Sequence, residues 1–459
     1  MKTRPASGRQ HTNMTMLRSF LVAICVFALA SPPAMAREWK AGAAKVDITP
    51  RQSLWMAGYA ARKRSSEGTL APLYAKALAL QDESGKRAVL VTSDLLGFPR
   101  ALSQKVAERV RRQNGLARDR LLFNSSHTHC GPVVDHTLSV AYDLNDEQWA
   151  AIAAYTQELE DKVVAVIGEA LGNMQPARVR FGHTEAGFTA NRRLSFNPNG
   201  PVDRDVPFLR VEDRRGGLRA VVFGYACHNT TIGAEYCEFN GDYAGFAQAE
   251  IEKRHPGAMA LFVEDCGADA NPKPRGSVDL VRQHGEELAA AVDGALGHAL
   301  EPVRGAIRSA FEETPVQFAT PPTRDELQAR LGDKNVYVQR HARLLLSRLE
   351  RDGSLPATYP YPIEVWQFGR DLTLVALGGE VVVDYELRLK KELGAEKLWV
   401  AGYSNDVFAY IPSVRVLKEG GYEGGGAMIY YGQPGPFAPS VEETIIGKVH
   451  ELVDRCRRK

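Results

Sequence analysis

Two periodicities alternate along this chain. "AGAAKVDITP" (41–50) alternates and ends in proline, which predicts an opening strand and turn, and "AKALALQDESGKRAVLVTSD" (75–94) predicts two strands around a glycine turn. Helical spacing covers 101–113 and, in a long amphipathic run, 146–171. "RVRFGHTEA" and "RAVVFGYACHNT" read as strands, "YAGFAQAEIEKRH" as a helix, and "MALFVEDCGADANP" as a strand running into a polar loop. Helices follow at 278–300 and, more polar, at 323–349, where 315–362 is expected to be a peripheral insertion. "IEVWQFGRDLTLVALGGE" predicts a hairpin ending at Glu380, with a helix to Leu393. "KLWVAGYSNDVFAY" predicts a strand and loop, and after the glycine-rich segment 420–439 a helix closes the chain. Strands and helices mix throughout without a linker, so the expected class is α/β, with mixed β-sheets and packed helices over 37–459.

The N-terminus follows a different rule. Basic residues precede "FLVAICVFALA", and "AMA" follows, the order of a secretory signal peptide over 1–36 with cleavage after Ala36. An uncleaved anchor is the alternative, though the apolar run is short for a membrane span. Export without assignment to periplasm, medium or surface is expected. Cleavage removes Lys2, Arg4, Arg9 and Arg18 and no acid, turning the formal charge of +2 into −2. No basic stripe then points to nucleic acid. Cys130, Cys227, Cys237, Cys266 and Cys456 remain, with no CxxC pair, which argues against a thiolate metal cluster. Cys227 and Cys237 are the nearest pair in sequence for a disulfide.

Candidate chemistry gathers where strands give way to loops. If "LLFNSSHTH" is a strand, His127 and His129 point to the same side near its end. Imidazole is a common metal ligand, yet two histidines do not complete a site. His228 in "GYACHNTT" shares the strand-end setting. Taken alone, His228 fits a histidine bonded to backbone, Glu380 a helix N-terminal carboxylate, and Tyr410 a packed aromatic. Their recurrence at successive strand ends favours one shared site.

The ordered motifs "AGAAKVDITP", "MAGYA", "NSSHTHCGP", "NRR", "ACHNTT", "GDYAGFAQ", "GADANP", "GGE" and "AYIPSVRVLKEGGYEGG" resemble the neutral/alkaline ceramidase family of zinc-dependent amidohydrolases. The resemblance implies that His127, His228, Glu380 and Tyr410 hold Zn²⁺ and that zinc-activated water cleaves an N-acyl bond. It implies further that His129, Arg192 and Tyr422 serve the reacting groups, with Arg193 the alternative to Arg192. Ceramide or a related N-acyl lipid is the first expected substrate. No protein partner is expected, and contact with a membrane surface would be transient. Where the family has serine in "GDxSP", this chain has Asn271 in "GADANP", which can orient a substrate or donate to an oxyanion but is no nucleophile. Asp269 keeps the acidic position, to orient a neighbour or cap a loop. The family's C-terminal immunoglobulin-like domain is not expected, because about thirty-five residues follow Tyr422. Cys130 replaces the small residue usual after the histidine pair. Other amides or esters, and a non-catalytic zinc- or glycan-binding protein on the same fold, are the alternatives.

Overall fold

The computed structural model describes residues 38–458; the expected export signal lies outside them. Three larger sheets build the domain, each with antiparallel strands and one parallel pair at an edge. In the first, Leu121–Ser125 runs parallel to Arg87–Ser93, and the helix Arg100–Asn114 makes the crossover. In the second, Met259–Glu264 runs parallel to Leu218–Tyr225 after the helix Asp242–Arg254. In the third, Leu398–Ala401 runs parallel to Leu372–Leu377 after the helix Val383–Leu393. A parallel pair requires such a crossover, and ligand sites gather beyond the carboxyl ends of its strands.

Alternation explains the layers. In Tyr74–Gln81, Ala75, Ala77 and Ala79 face a core shared with the helix Asp146–Gly172, while Leu78 and Leu80 face a second core. That second core draws on all three sheets through Leu78, Leu122, Val222, Leu261, Trp366 and Trp399. Helices cover the outer faces: Asp242–Arg254 and Val278–Leu296 on the second sheet, Val383–Leu393 and Val441–Arg458 on the third. With both faces covered, the strands read as nearly continuous apolar runs.

One side chain fastens the sheets together. The Asn124 amide donates to the carbonyls of Gly402 (2.9 Å) and Glu264 (3.2 Å), and its oxygen accepts from Glu264 N at 2.9 Å. The strand ends that follow Asn124, Glu264 and Ala401 therefore meet at one place.

The mixed α/β expectation holds, with local differences. The helix expected over 323–349 is two, Arg324–Arg330 and Val336–Asp352. Thr323 forms a capping box with Glu326, and Asn335 caps the second helix by accepting from Tyr337 N, so Gly332 and Asp333 fall in a turn. Both helices lie between Ile307–Gln317 and Thr358–Phe368, which pair along their length, so 315–317 and 358–362 belong to the sheet. The helix expected to reach 300 ends at Leu296, before the strand Glu301–Val303. Cys227 and Cys237 are both buried and unbridged, so the disulfide between them does not form. Cys237 Sγ instead accepts from Arg64 Nε at 3.4 Å.

Candidate metal centre and active site

His127 and His129 converge for a different reason than strand alternation. The strand ends at Ser125, and His127 adopts a left-handed backbone with φ 59°, a conformation a non-glycine residue holds only under constraint from its surroundings. The constraint is visible: His127 Nδ1 donates to the Leu96 carbonyl at 2.6 Å, and its ring lies 4.5 Å from that of Tyr403. The turn brings His129 Nε2 within 3.2 Å of His127 Nε2.

His228 follows the second sheet's strand Leu218–Tyr225, and Glu380 and Tyr410 pair as short parallel strands beyond the third sheet. Glu380 lies ahead of the next helix, which begins at Val383, so it is not a helix-end carboxylate. His228 Nδ1 donates to the Gly267 carbonyl at 2.9 Å. Because a carbonyl only accepts, both Nδ1 atoms carry hydrogen, which leaves the two Nε2 atoms as the positions able to bind a cation. Both Nε2 atoms stand 3.1 Å from Glu380 Oε2, and His228 Nε2 is 3.2 Å from Tyr410 Oη.

Acceptors that face one another this closely need a proton or a cation between them. Ligand atoms about 2.0–2.1 Å from a tetrahedral ion stand about 3.3 Å apart, close to these separations. His127, His129 and His228 together also form a buried group able to hold a metal ion. Protons are poorly placed to do the work. Burial, reinforced by Arg192, pushes His228 down to about 4, and burial with the neighbouring histidines pushes His129 well below its usual value. The donor set fits a divalent metal.

Arg192 borders this cluster. Its Nη2 donates to Tyr410 Oη at 3.0 Å, its Nε donates to Glu423 Oε1 at 2.7 Å, and its Nη1 lies 3.4 Å from the Asn271 amide. Arg193 is fully buried and spends its guanidinium on Glu419, Glu423 and the Gly420 carbonyl, which separates the two arginines. Tyr422, 45% exposed, stands at the mouth, its ring 5.2 Å from that of Tyr410. Asn271 is best satisfied with its nitrogen toward the Ala270 carbonyl and Thr230 Oγ1 and its oxygen accepting from Arg275.

Asp269 proves to be a hub. Its carboxylate accepts from Val383 N and from Asn191 Nδ2, and its carbonyl from Arg192 N. It thereby ties the Arg192 loop to the segment after Glu380, and burial pushes it up to about 6. Cys130 packs in the first sheet's core. Two residues escape sequence reading: Tyr431, which donates to Glu380 Oε1, and Glu423, which clamps both arginines.

Fold and site define a mixed α/β domain with a histidine–carboxylate candidate metal centre beyond the carboxyl ends of its strands. The chain belongs to the neutral/alkaline non-lysosomal ceramidase family, whose N-terminal region matches residues 39–297. Neutral ceramidase A of Dictyostelium discoideum is 25% identical over 268 residues, covering 52% of this chain and 36% of that protein. Neutral ceramidase of Drosophila melanogaster is 23% identical over 233 residues, 47% of this chain and 32% of its own. The matched region thus spans about a third of these relatives' length. The crystal structure of neutral ceramidase from Pseudomonas aeruginosa has the same fold, with a TM-score of 0.74 at 21% identity over 92% of this chain and 75% of that one.

Proposed function

We propose that this protein is a zinc-dependent hydrolase of N-acyl amide bonds, with an N-acyl lipid of the ceramide type as first substrate. One observation carries the reading: two histidine Nε2 atoms and one carboxylate oxygen converge at 3.1 Å with both Nδ1 atoms anchored, and the half-buried Arg192 borders them. His127, His228, Glu380 and Tyr410 would hold the ion. Bound zinc supplies Lewis acidity, polarising a carbonyl and making water a nucleophile near neutral pH.

The chain's own groups serve the rest of the reaction. Hydrolysis joins a water oxygen to the acyl carbon, breaks the C–N bond and delivers a proton to the departing nitrogen. His129, neutral by burial, is the group that accepts the water's proton and returns it to that nitrogen. Arg192 and the Tyr422 hydroxyl donate toward the charge developing on the carbonyl oxygen. Asn271 cannot attack carbon, so it orients the amide and no acyl-enzyme forms there. We read residues 1–36 as an export signal, which N-terminal sequencing of the secreted chain tests.

The deciding experiment combines metal analysis with turnover of a fluorogenic N-acylsphingosine. One zinc per chain with chelator-sensitive cleavage supports the proposal. Zinc without cleavage of this or other amides and esters favours a non-catalytic binding protein. No zinc in a folded sample prepared without chelator overturns the ligand assignment.

A further inference from the structure

The two flanks of the site differ in chemistry. On one side of Arg192 lie the exposed aromatic residues Phe196, 49% exposed, and Tyr422. Phe196 packs against Gly421, where an added Cβ would come within 2.7 Å of its ring, and Arg192 Cζ is 6.0 Å from the Tyr422 ring centre. On the other side the order runs from Arg192 to Asn271 to Arg275. Arg275 Nη1 donates to Asn271 Oδ1 at 3.0 Å, and its Nη2 lies 3.5 Å from Tyr59 Oη. Tyr59 in turn packs on His129, with ring centres 4.6 Å apart. An exposed guanidinium therefore touches Asn271 directly and is separated from His129 only by Tyr59.

This cation lacks a charge partner. Its contacts, Asn271 and Tyr59, are neutral, and it meets no carboxylate among the described residues; the same holds for the exposed Lys273 beside it. Two of its five donors are used, leaving Nε–H and one hydrogen on each terminal nitrogen. The segment is held firmly. Lys273 N donates to the Phe188 carbonyl, His284 to the Pro274 carbonyl, and Gly276 N to the Thr231 carbonyl. A fixed, unpaired guanidinium is suited to binding a carboxylate through two parallel hydrogen bonds.

We propose that the substrates preferred by this site are N-acyl amides whose amine half carries a carboxylate, seated against Arg275 with Lys273 beside it and with the acyl chain on the Phe196–Tyr422 side. The proposal rests on the amide-hydrolase reading above and adds to it a preference, among N-acyl amides, for those with an acidic amine half.

The test compares N-dodecanoylglycine with N-dodecanoylethanolamine, which share an acyl chain and differ in charge. With the zinc-loaded protein, kcat/KM for the glycine amide should exceed that for the ethanolamide by about tenfold or more, the scale of a charge-assisted hydrogen bond. The ratio should shrink as salt rises. Arg275→Gln should bring it near one, mainly through KM, and Arg275→Glu should invert it; Lys273→Gln should reduce it less. Equal turnover of the two amides, or a ratio unmoved by Arg275→Gln, overturns the proposal. Calorimetric binding of the same two molecules separates this outcome from failure of the hydrolase reading. Preferential binding of the glycine amide that Arg275→Gln abolishes, without turnover, keeps the anion site and removes the hydrolase reading. Equal binding of both removes the anion site.

Discussion

Tyr431 donates its phenolic hydrogen to Oε1 of Glu380, the carboxylate oxygen turned away from His127 and His228. That bond occupies one oxygen and leaves Oε2 alone facing the two histidines. It does for the carboxylate what the Leu96 and Gly267 carbonyls do for the imidazoles. Groups that orient metal ligands in this way commonly contribute 10- to 100-fold to metal affinity.

Tyr431→Phe keeps the ring and removes the donor. It should weaken zinc binding about 10- to 100-fold in chelator competition, with little change in the thermal midpoint of the metal-free protein. Unchanged affinity would mean that Glu380 needs no help to point at the ion.

His127 and His129 should separate in mutagenesis although their Nε2 atoms are 3.2 Å apart. His127 Nδ1 is anchored on a carbonyl, whereas His129 Nδ1 is buried with no hydrogen-bond partner among the described residues. Anchoring of the far nitrogen is the mark of a ligand. His127→Ala should lose metal and turnover together; His129→Ala should keep about one zinc per chain and lose turnover by about 10²- to 10⁴-fold. Metal loss in the His129 variant would make it a ligand.

The limits of sequence reading follow from the same contacts. Residues beside an apolar run announce themselves, and so His127, His228, Glu380 and Tyr410 are legible in the sequence as strand-end groups. The helix 101–113 and the hairpin ending at Glu380 are legible from period alone. Tyr431 and Glu423 are not, because their partners lie 51 and 231 residues away and no local pattern encodes such pairings. The His-Thr-His spacing suggests a strand, but the positive φ of His127 is imposed by tertiary contacts. The break between the helices Arg324–Arg330 and Val336–Asp352 does leave a local signal, the capping residue Asn335 after Gly332 and Asp333, which the helical period outweighs.

Glu423 joins Arg192 to Arg193 and is itself buried. Removing its charge frees Arg192 to leave Tyr410 while Arg193 retains Glu419. Glu423→Gln should lower kcat about tenfold with KM nearly unchanged, and Arg192→Ala should lower it by about 10²- to 10³-fold. Glu423→Ala, which orphans part of a buried ion-pair network, should also cost on the order of 3 kcal/mol in denaturant unfolding. A rise in KM alone would assign Arg192 to substrate binding.

Asp406 gives a pH dependence independent of the metal. It is buried with Tyr359 Oη donating to it at 2.6 Å, and burial pushes it up to about 7. In the unfolded chain an aspartate titrates near 3.9. Between about pH 4 and pH 7 the folded state therefore keeps a proton that the unfolded state has released. Its contribution to stability is full below about pH 4, falls as pH rises through this window, and is constant above it. Asp406→Asn removes the titration and leaves the opposing effect of His228, lowered to about 4, in place in both proteins. The stability difference between variant and parent, measured by denaturant unfolding of metal-free protein, should shift toward the variant by up to about 4 kcal/mol from pH 4 to pH 7. A difference independent of pH would mean that Asp406 is ionised in the folded protein throughout.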